Sequence, residues 1–345
     1  MGHAPSAMSG TRLLLARART WEDQAVLLTH DVAYAVGLLR AGGLVAMPTE
    51  TVYGLAADAE NADAVARVYA AKGRPAGHPL IVHLAEAAQL DEGWARDVPP
   101  WAALLAAACW PGPLTLVLRR GPRAGGFVTG GQDTVGLRVP SDPTAHALLA
   151  AFGGGLAAPS ANRFGRVSPT DASHVLDELS DVLEPGRDAV LEGGRSEVGV
   201  ESTIVDCTGA SPRLLRPGAV GVEEIEAITG LDVVDADPAV RAPGTLASHY
   251  APSATVRLVG AAEVLDAAAA SAGPVALLAP AHVLTPTGVH RLASPHDAAE
   301  YARSLYGALR DADTRDVATV IAVAPTGGAL ADAVLDRLTR AAYRS

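Results

Sequence analysis

Leu44-Val45-Ala46-Met47-Pro48-Thr49-Glu50-Thr51-Val52-Tyr53-Gly54-Leu55 is the stretch on which the reading of this chain turns. The apolar run Leu44 to Met47 reads as a buried strand. The eight residues after it read as a loop that carries hydroxyls and a carboxylate where plain turn residues would suffice. Working outward, Asn61 can cap a helix over 62–72, with Asp63 in its first turn and Gly73 just past its end. The exit is Lys72-Gly73-Arg74-Pro75, and a second strand follows at Leu80 to Leu84. Lys72 is the only lysine among 27 basic residues. An arginine would complement the helix dipole equally well, so an ammonium kept at this one position points to a compact charge with a chemical role.

Before this stretch, Leu13 to Ala16 suggests a first strand and Asp31 to Ala41 an amphipathic helix. After it the pattern gives helices over 100–109, 144–152, 171–179 and 222–229, and strands over 114–119, 134–139, 189–192 and 202–206. That is an α/β domain with mixed strand directions, not a clean alternation. Periodicity fades from Asp232 to Pro252, where four prolines and glycines punctuate a linker. Beyond it, apolar strands at 255–259, 275–279 and 317–323 alternate with helices at 261–271, 297–310 and 328–342, a small sandwich on a parallel sheet. The expected division is a first domain over 1–230, a linker over 231–254 and a second domain over 255–345.

Composition narrows the function classes. The 345 residues are 49% hydrophobic, enough for well-filled cores, with only Cys109 and Cys207 as cysteines, too few for a disulfide framework or a cysteine zinc site. No apolar run reaches the ~20 residues of a membrane helix, and the first twelve residues lack the apolar core of a signal peptide. The reading is a soluble cytoplasmic protein that does not engage a membrane. Net charge is −11, and residues 1–225 alone hold 18 basic against 25 acidic side chains, which argues against a general nucleic-acid coat. A polyanion must be met by a local cluster.

No Walker loop, dinucleotide fingerprint, zinc-binding helix or hydrolase elbow is present. Lys72 and Arg74 flank Gly73 and suit a polyphosphate, or equally a solvated basic corner. Ser160 and Asn162 follow an apolar strand and Pro159, where α/β sheets bind ligands, although both types also make turns. Thr115, Ser168 and Ser202 are hydroxyls near strand ends. Arg119 and Arg216 can clamp a carboxylate or phosphate, or act as surface ion-pair partners. His83 ends a strand, and His249-Tyr250-Ala251-Pro252 stands oddly in the linker. Spacing alone stops at a pocket for an anionic, hydroxylated ligand.

Taken together, the motifs resemble the threonylcarbamoyl-AMP synthase family, in its long form with a YrdC-like domain and a smaller C-terminal domain. The segments that carry the resemblance are Pro48 to Leu55, Lys72-Gly73-Arg74-Pro75 with Pro79-Leu80-Ile81, Trp110 to Thr115, Ala158-Pro159-Ser160-Ala161-Asn162, Ser168-Pro169-Thr170, Glu201-Ser202-Thr203, Leu215 to Gly218 and His249 to Pro252. They span about 43–252. The implied fold is a twisted mixed-sheet YrdC-like domain followed by a smaller Rossmann-like α/β domain. The implied reaction joins L-threonine, bicarbonate or carbon dioxide, and ATP into threonylcarbamoyl-AMP and pyrophosphate. Downstream partners, a threonylcarbamoyl transferase complex, then modify tRNA next to the anticodon.

By position, the resemblance implies threonine contacts from Thr51, His83, Arg119, Ala158 and Ser202. It implies ATP contacts from Arg74, His78, Thr115, Ser160, Ser168, Arg216 and Tyr250, and a catalytic set of Lys72, Arg74, Ser160 and Asn162. Mg2+ is expected to ride on the ATP phosphates, with no protein side chain as metal ligand. Two departures from the family pattern stand out: Leu246 and Ala247 where a lysine and tyrosine are common, and His78 where an asparagine is expected. The competing readings are a double-stranded RNA-binding module without catalysis, since such domains carry a concave basic surface that leaves weak RNA binding open, and a carbamoyl-adenylate enzyme of a carbamoylation pathway. The acidic balance disfavours the first, and the lack of accessory modules the second.

Overall fold

The computed structural model describes residues 26–236, 240–244 and 250–343. In chain order the first layer system comprises β1 (Leu27–Thr29), α1 (Val32–Arg40), β2 (Val45–Met47), β3 (Gly54–Asp58), α2 (Ala62–Lys72), β4 (Ile81–His83), β5 (Ala95–Arg96), α3 (Pro100–Cys109), β6 (Leu114–Arg120) and β7 (Thr134–Arg138). It continues with α4 (Pro143–Phe152), β8 (Leu156–Ala157), α5 (Ala172–Leu179), β9 (Ala189–Leu191), β10 (Thr203–Asp206), β11 (Arg213–Arg216) and α6 (Val222–Thr229). Its strands form one mixed sheet in the order β1-β9-β2-β3-β8-β4-β7-β6-β10-β11, with β5 on the flank of β6.

The local causes are visible. The side chain of Asn61 accepts from the backbone N–H groups of Asp63 and Ala64, both at 3.1 Å, and so starts α2. Gly73 ends it at φ 60°, a left-handed conformation that glycine takes without cost. Asp31 and Asp142 cap α1 and α4 in the same way as Asn61. Strands in the middle of the sheet are apolar on both faces, as burial on both sides requires: Val45, Ala46 and Met47 are all inaccessible to solvent.

The second system comprises β12 (Thr255–Leu258), α7 (Val264–Ala269), β13 (Val275–Leu278), β14 (His290–Ala293), α8 (Ala298–Thr314), β15 (Thr319–Ala322) and α9 (Ala329–Ala342). Its four strands run parallel in the order β12-β15-β13-β14. Its apolar core does not stop at the domain edge. Val52, Val167 and Val200 of the first domain and Tyr250 pack into the same cluster as Tyr301, Leu305 and Leu309 of α8.

Five strands, β1, β3, β5, β11 and β14, escape the sequence reading, β1 and β5 being only three and two residues long. β3 begins inside what reads as a loop, β11 carries an arginine at each end, and β14 lies in a Pro- and His-rich stretch. Each gains its pairing from a neighbour: β1 from β9, β3 from the hairpin with β2, β5 from β6, β11 from antiparallel β10, β14 from β13. The strand expected at 13–16 lies outside the described residues, as do His249 and the departures at Leu246 and Ala247.

Candidate active site

A cleft of the first domain lies where the β2–β3 loop, the end of β4, the segment after β8 and the start of β10 converge. Thr51, His83, Arg138, Ala158, Ser160, Ser202, Arg74, Arg216 and Tyr250 all line it, with Pro243 and Gly244 of the linker across the top. Two groups of contacts can be distinguished within it.

In the first, register does the placing. β4 and β7 are parallel, and His83 stands opposite Arg138. The Arg138 guanidinium donates to the Thr51 hydroxyl at 2.8 Å and to the Gly112 carbonyl at 3.2 Å, and its remaining nitrogen lies 2.7 Å from Glu50. Thr51 is fixed in turn by a hydroxyl–hydroxyl bond to Thr49 at 2.9 Å, and Thr49 donates to the Val52 carbonyl at 2.6 Å. The His83 imidazole is buried, and its Nδ1 has no hydrogen-bond partner among the described residues. Burial, and then the nearby Arg138 charge, push its pKa down to about 3, so the ring is neutral at physiological pH.

In the second group, Arg216 at the end of β11 donates to the Ser202 carbonyl at 3.0 Å, to the Ser202 hydroxyl at 3.1 Å and to the Pro243 carbonyl at 3.0 Å. Arg74 donates to the Pro79 carbonyl at 2.9 Å and lies over the Phe164 ring. Burial pushes the Arg74 pKa down to about 10, and the Arg216 charge acts in the same direction. Burial also lowers Arg216. Two buried guanidiniums facing one cavity favour an anion between them.

The structure separates the residues expected from sequence. Thr51, His83, Ala158, Ser202, Arg74, Ser160, Arg216 and Tyr250 come together in the cleft. Lys72 does not line it: its ammonium is fully buried behind the wall and donates to the backbone carbonyls of Ser160 and Asn162, both at 2.5 Å. Burial, and then the Arg74 charge, lower its pKa well below the ordinary lysine value. Asn162 is also behind the wall, donating to the carbonyls of Arg163 and Arg166 at 2.7 and 2.9 Å. Thr115 backs Ser202 through a 2.8 Å hydroxyl pair, and Ser168 donates to Glu201 at 2.6 Å. His78 is half-buried, edge-on to Phe164, outside the cleft.

Arg119 requires correction. It is exposed, paired in register with Thr134 at the far end of β7 from Arg138. β6 runs antiparallel to β7, so a side chain at its C-terminal end is carried away from the cleft, roughly 13 Å along the sheet. Arg138 is the guanidinium that the strand register delivers. Its signal in the sequence was the closing position of a strand in front of Val139-Pro140, the same signal that Arg119 gave.

The linker is held down. Arg241 donates to the Gly77 carbonyl at 2.7 Å and the Gly130 carbonyl at 3.0 Å, and its backbone pairs both ways with the Gln132 amide at 2.8 and 3.0 Å. Tyr250 is buried in left-handed backbone, φ 61°, an uncommon state for a tyrosine. With these segments in place the cavity is about 50 Å³.

Comparison with known proteins agrees with the geometry. Residues 37–218 match the family Sua5_yciO_yrdC, described as telomere recombination, and residues 220–343 match the family described as threonylcarbamoyl-AMP synthase, C-terminal domain. A threonylcarbamoyl-AMP synthase of Pyrococcus abyssi is 45% identical over 236 residues, 66% of this chain and 67% of that one. One of Bacillus subtilis is 44% identical over 241 residues, 67% of this chain and 68% of that one. The crystal structure of P. abyssi Sua5 complexed with L-threonine is similar at TM-score 0.81 and 37% identity, covering 90% of this chain and 94% of that chain. Among the described residues no helix is long and apolar enough to cross a membrane.

Proposed function

The chain belongs to the threonylcarbamoyl-AMP synthase family of enzymes, and on that premise we propose that it makes threonylcarbamoyl-AMP from L-threonine, bicarbonate or CO2, and ATP. The observation that carries the reading is the meeting of three buried guanidiniums, Arg74, Arg138 and Arg216, with the hydroxyls of Thr51, Ser160 and Ser202 around one cleft. An amino acid's carboxylate and a triphosphate are the anions such a set would hold together.

The Arg138–Thr51–His83 group takes the amino acid, Arg138 facing its carboxylate. A neutral His83 suits a site that must leave the threonine amine able to lose a proton. That amine attacks CO2, forming an N–C bond and releasing a proton, to give a carbamate. A carbamate oxygen then attacks the α-phosphorus while the bond to the pyrophosphate oxygen breaks. No covalent enzyme nucleophile is required; the protein's work is alignment and charge neutralisation. Arg74 and Arg216 hold the phosphates, with Ser160 beside them. Lys72 acts by fixing the Ser160 and Asn162 carbonyls, and so the loop that presents Ser160.

Mg2+ would come with ATP and neutralise the departing pyrophosphate. Among the described residues Glu201 is the one carboxylate lining the cleft, and it is already committed to Ser168, Tyr306 and Arg337, so the metal would come with the phosphates. The 50 Å³ cavity is far below the roughly 300–1,000 Å³ of ordinary ligand pockets. ATP therefore enters when Pro243, Gly244 and Tyr250 shift, and their return excludes water from a hydrolysable anhydride. On this reading 231–254 is a lid between a catalytic domain and a C-terminal domain, and the adenylate passes to a transferase that modifies tRNA. The test is product identity: with 13C-bicarbonate, ATP, magnesium and L-threonine, mass spectrometry should detect labelled threonylcarbamoyl-AMP. ADP and carbamoyl phosphate, or no labelled adenylate, would refute it.

A further inference from the structure

Two buried side chains of the C-terminal domain end at the wall of the cleft in the other domain. Glu201 Oε2 accepts from Arg337 Nε of α9 at 2.9 Å and from the Tyr306 hydroxyl of α8 at 2.7 Å. A second Arg337 nitrogen donates to the Glu201 backbone carbonyl at 3.3 Å. The other oxygen, Oε1, accepts from Ser168 at 2.6 Å. The Arg337 side chain is 0% exposed and that of Glu201 8%. Burial alone would push the Glu201 carboxyl up, but Arg337 and Arg216 hold it down at about 2, so it stays ionised. The same Arg337 guanidinium lies 5.4 Å from the centre of the Tyr250 ring, and that ring stacks on Tyr306 at 5.7 Å.

Holding the domains together does not require this arrangement. The seam is already closed by Val52, Val167 and Val200 packing on α8, and apolar side chains in place of a buried ion pair are often as stable or more so. What an apolar pair could not do is fix the two oxygens of one carboxylate, one on Ser168 and the other on α8 and α9. Neither Arg337 nor Tyr306 lines the cleft, yet each touches something that does.

We propose that Arg337 is a positioning residue of the adenylation site: it holds Glu201 in place at the cleft wall, and through its own guanidinium it supports Tyr250, so α9 governs how ATP is held. This rests on the reading of the cleft as the ATP site with Tyr250 as one of its contacts, and gives the C-terminal domain a share in the reaction. Threonine is held by the Arg138 group, which Arg337 does not touch.

The test uses the full chain with Arg337→Gln, which can still donate one hydrogen bond to Glu201 but lacks the fork and the charge over Tyr250. KM for ATP should rise roughly tenfold or more, the scale of a lost charge-assisted bond. The Kd for L-threonine, measured by calorimetry, should stay within about twofold. Tyr306→Phe keeps the ring and removes one donor, and should shift KM for ATP in the same direction by about fivefold, the size of one net hydrogen bond. A merely structural role would lower the folded fraction and leave KM for ATP unchanged. That result in either folded variant overturns the proposal, as would threonine and ATP parameters moving together, or failure of both variants to fold. Wild-type enzyme assayed in parallel separates the two readings: no adenylate from wild type defeats the proposed function, whereas an active wild type with an unaltered variant defeats this inference alone.

Discussion

The Arg138 guanidinium reaches the Thr51 hydroxyl at 2.8 Å across 87 residues of sequence, with Glu50 beside it at 2.7 Å. One strand end and one loop are thereby locked into a single anion-facing unit, and removing either member leaves the other buried without its partner.

Arg138→Lys should therefore raise KM for L-threonine by roughly a hundredfold, because a lysine cannot serve Thr51, Gly112 and a carboxylate in one plane. Arg119→Lys, on the exposed strand end, should change neither KM nor kcat by more than about twofold. Steady-state kinetics with varied threonine decide between them. Equal effects at the two positions would return the carboxylate contact to Arg119.

The contrast between these two arginines also shows where the sequence was legible. α2 reads correctly to the residue because its causes are local: Asn61 caps, Gly73 terminates, and both act within one turn. Arg119 and Arg138 look alike in sequence, each the last residue or nearly so of an apolar strand. Only the antiparallel pairing of β6 with β7 and the parallel pairing of β7 with β4 send one away from the cleft and the other to His83. Lys72 was singled out by rarity, but rarity could not tell that its ammonium would be behind the wall. That depended on the chain after β8 folding back over α2, a contact 88 residues away. β11 was missed for a different reason: its four residues carry an arginine at each end and no period-2 alternation, although its hairpin with β10 is local.

Lys72 sits in a slot between the backbone carbonyls of Ser160 and Asn162. Lys72→Arg should cost about a hundredfold in kcat, because the larger planar head displaces the Ser160 loop. Circular dichroism and thermal melting would establish that the variant is folded. Activity within about threefold of wild type would reduce Lys72 to a helix-end cation.

His83 provides a pH signature. Its pKa falls from an ordinary 6.5 to about 3 in the folded protein, through burial and the Arg138 charge. The unfolded chain then takes up a proton below pH 6.5 that the folded chain refuses. The stability due to the neutral ring is complete above 6.5 and declines as pH falls toward 3. The difference in Tm between wild type and His83→Gln, in which other titrating groups cancel, should shift against wild type between pH 7.5 and 5. A difference constant with pH would contradict the assignment.

Arg241 and Gln132 hold the linker on the first domain through four hydrogen bonds. Arg241→Ala should leave the L-threonine Kd unchanged and lower the ratio of adenylate recovered to pyrophosphate released, by roughly threefold, as water reaches the anhydride. An unchanged ratio would make this segment a tether with no part in closure.

The central claim is that one cleft joins an amino acid's carbamate to the α-phosphate of ATP, and the most direct measurement is the substrate dependence of pyrophosphate release by the full chain. With ATP and magnesium, release should be at background with L-threonine alone and with bicarbonate alone, and should rise at least tenfold when both are present. Release that proceeds without threonine, or that carbamoyl phosphate supports in place of threonine and bicarbonate, would contradict the account.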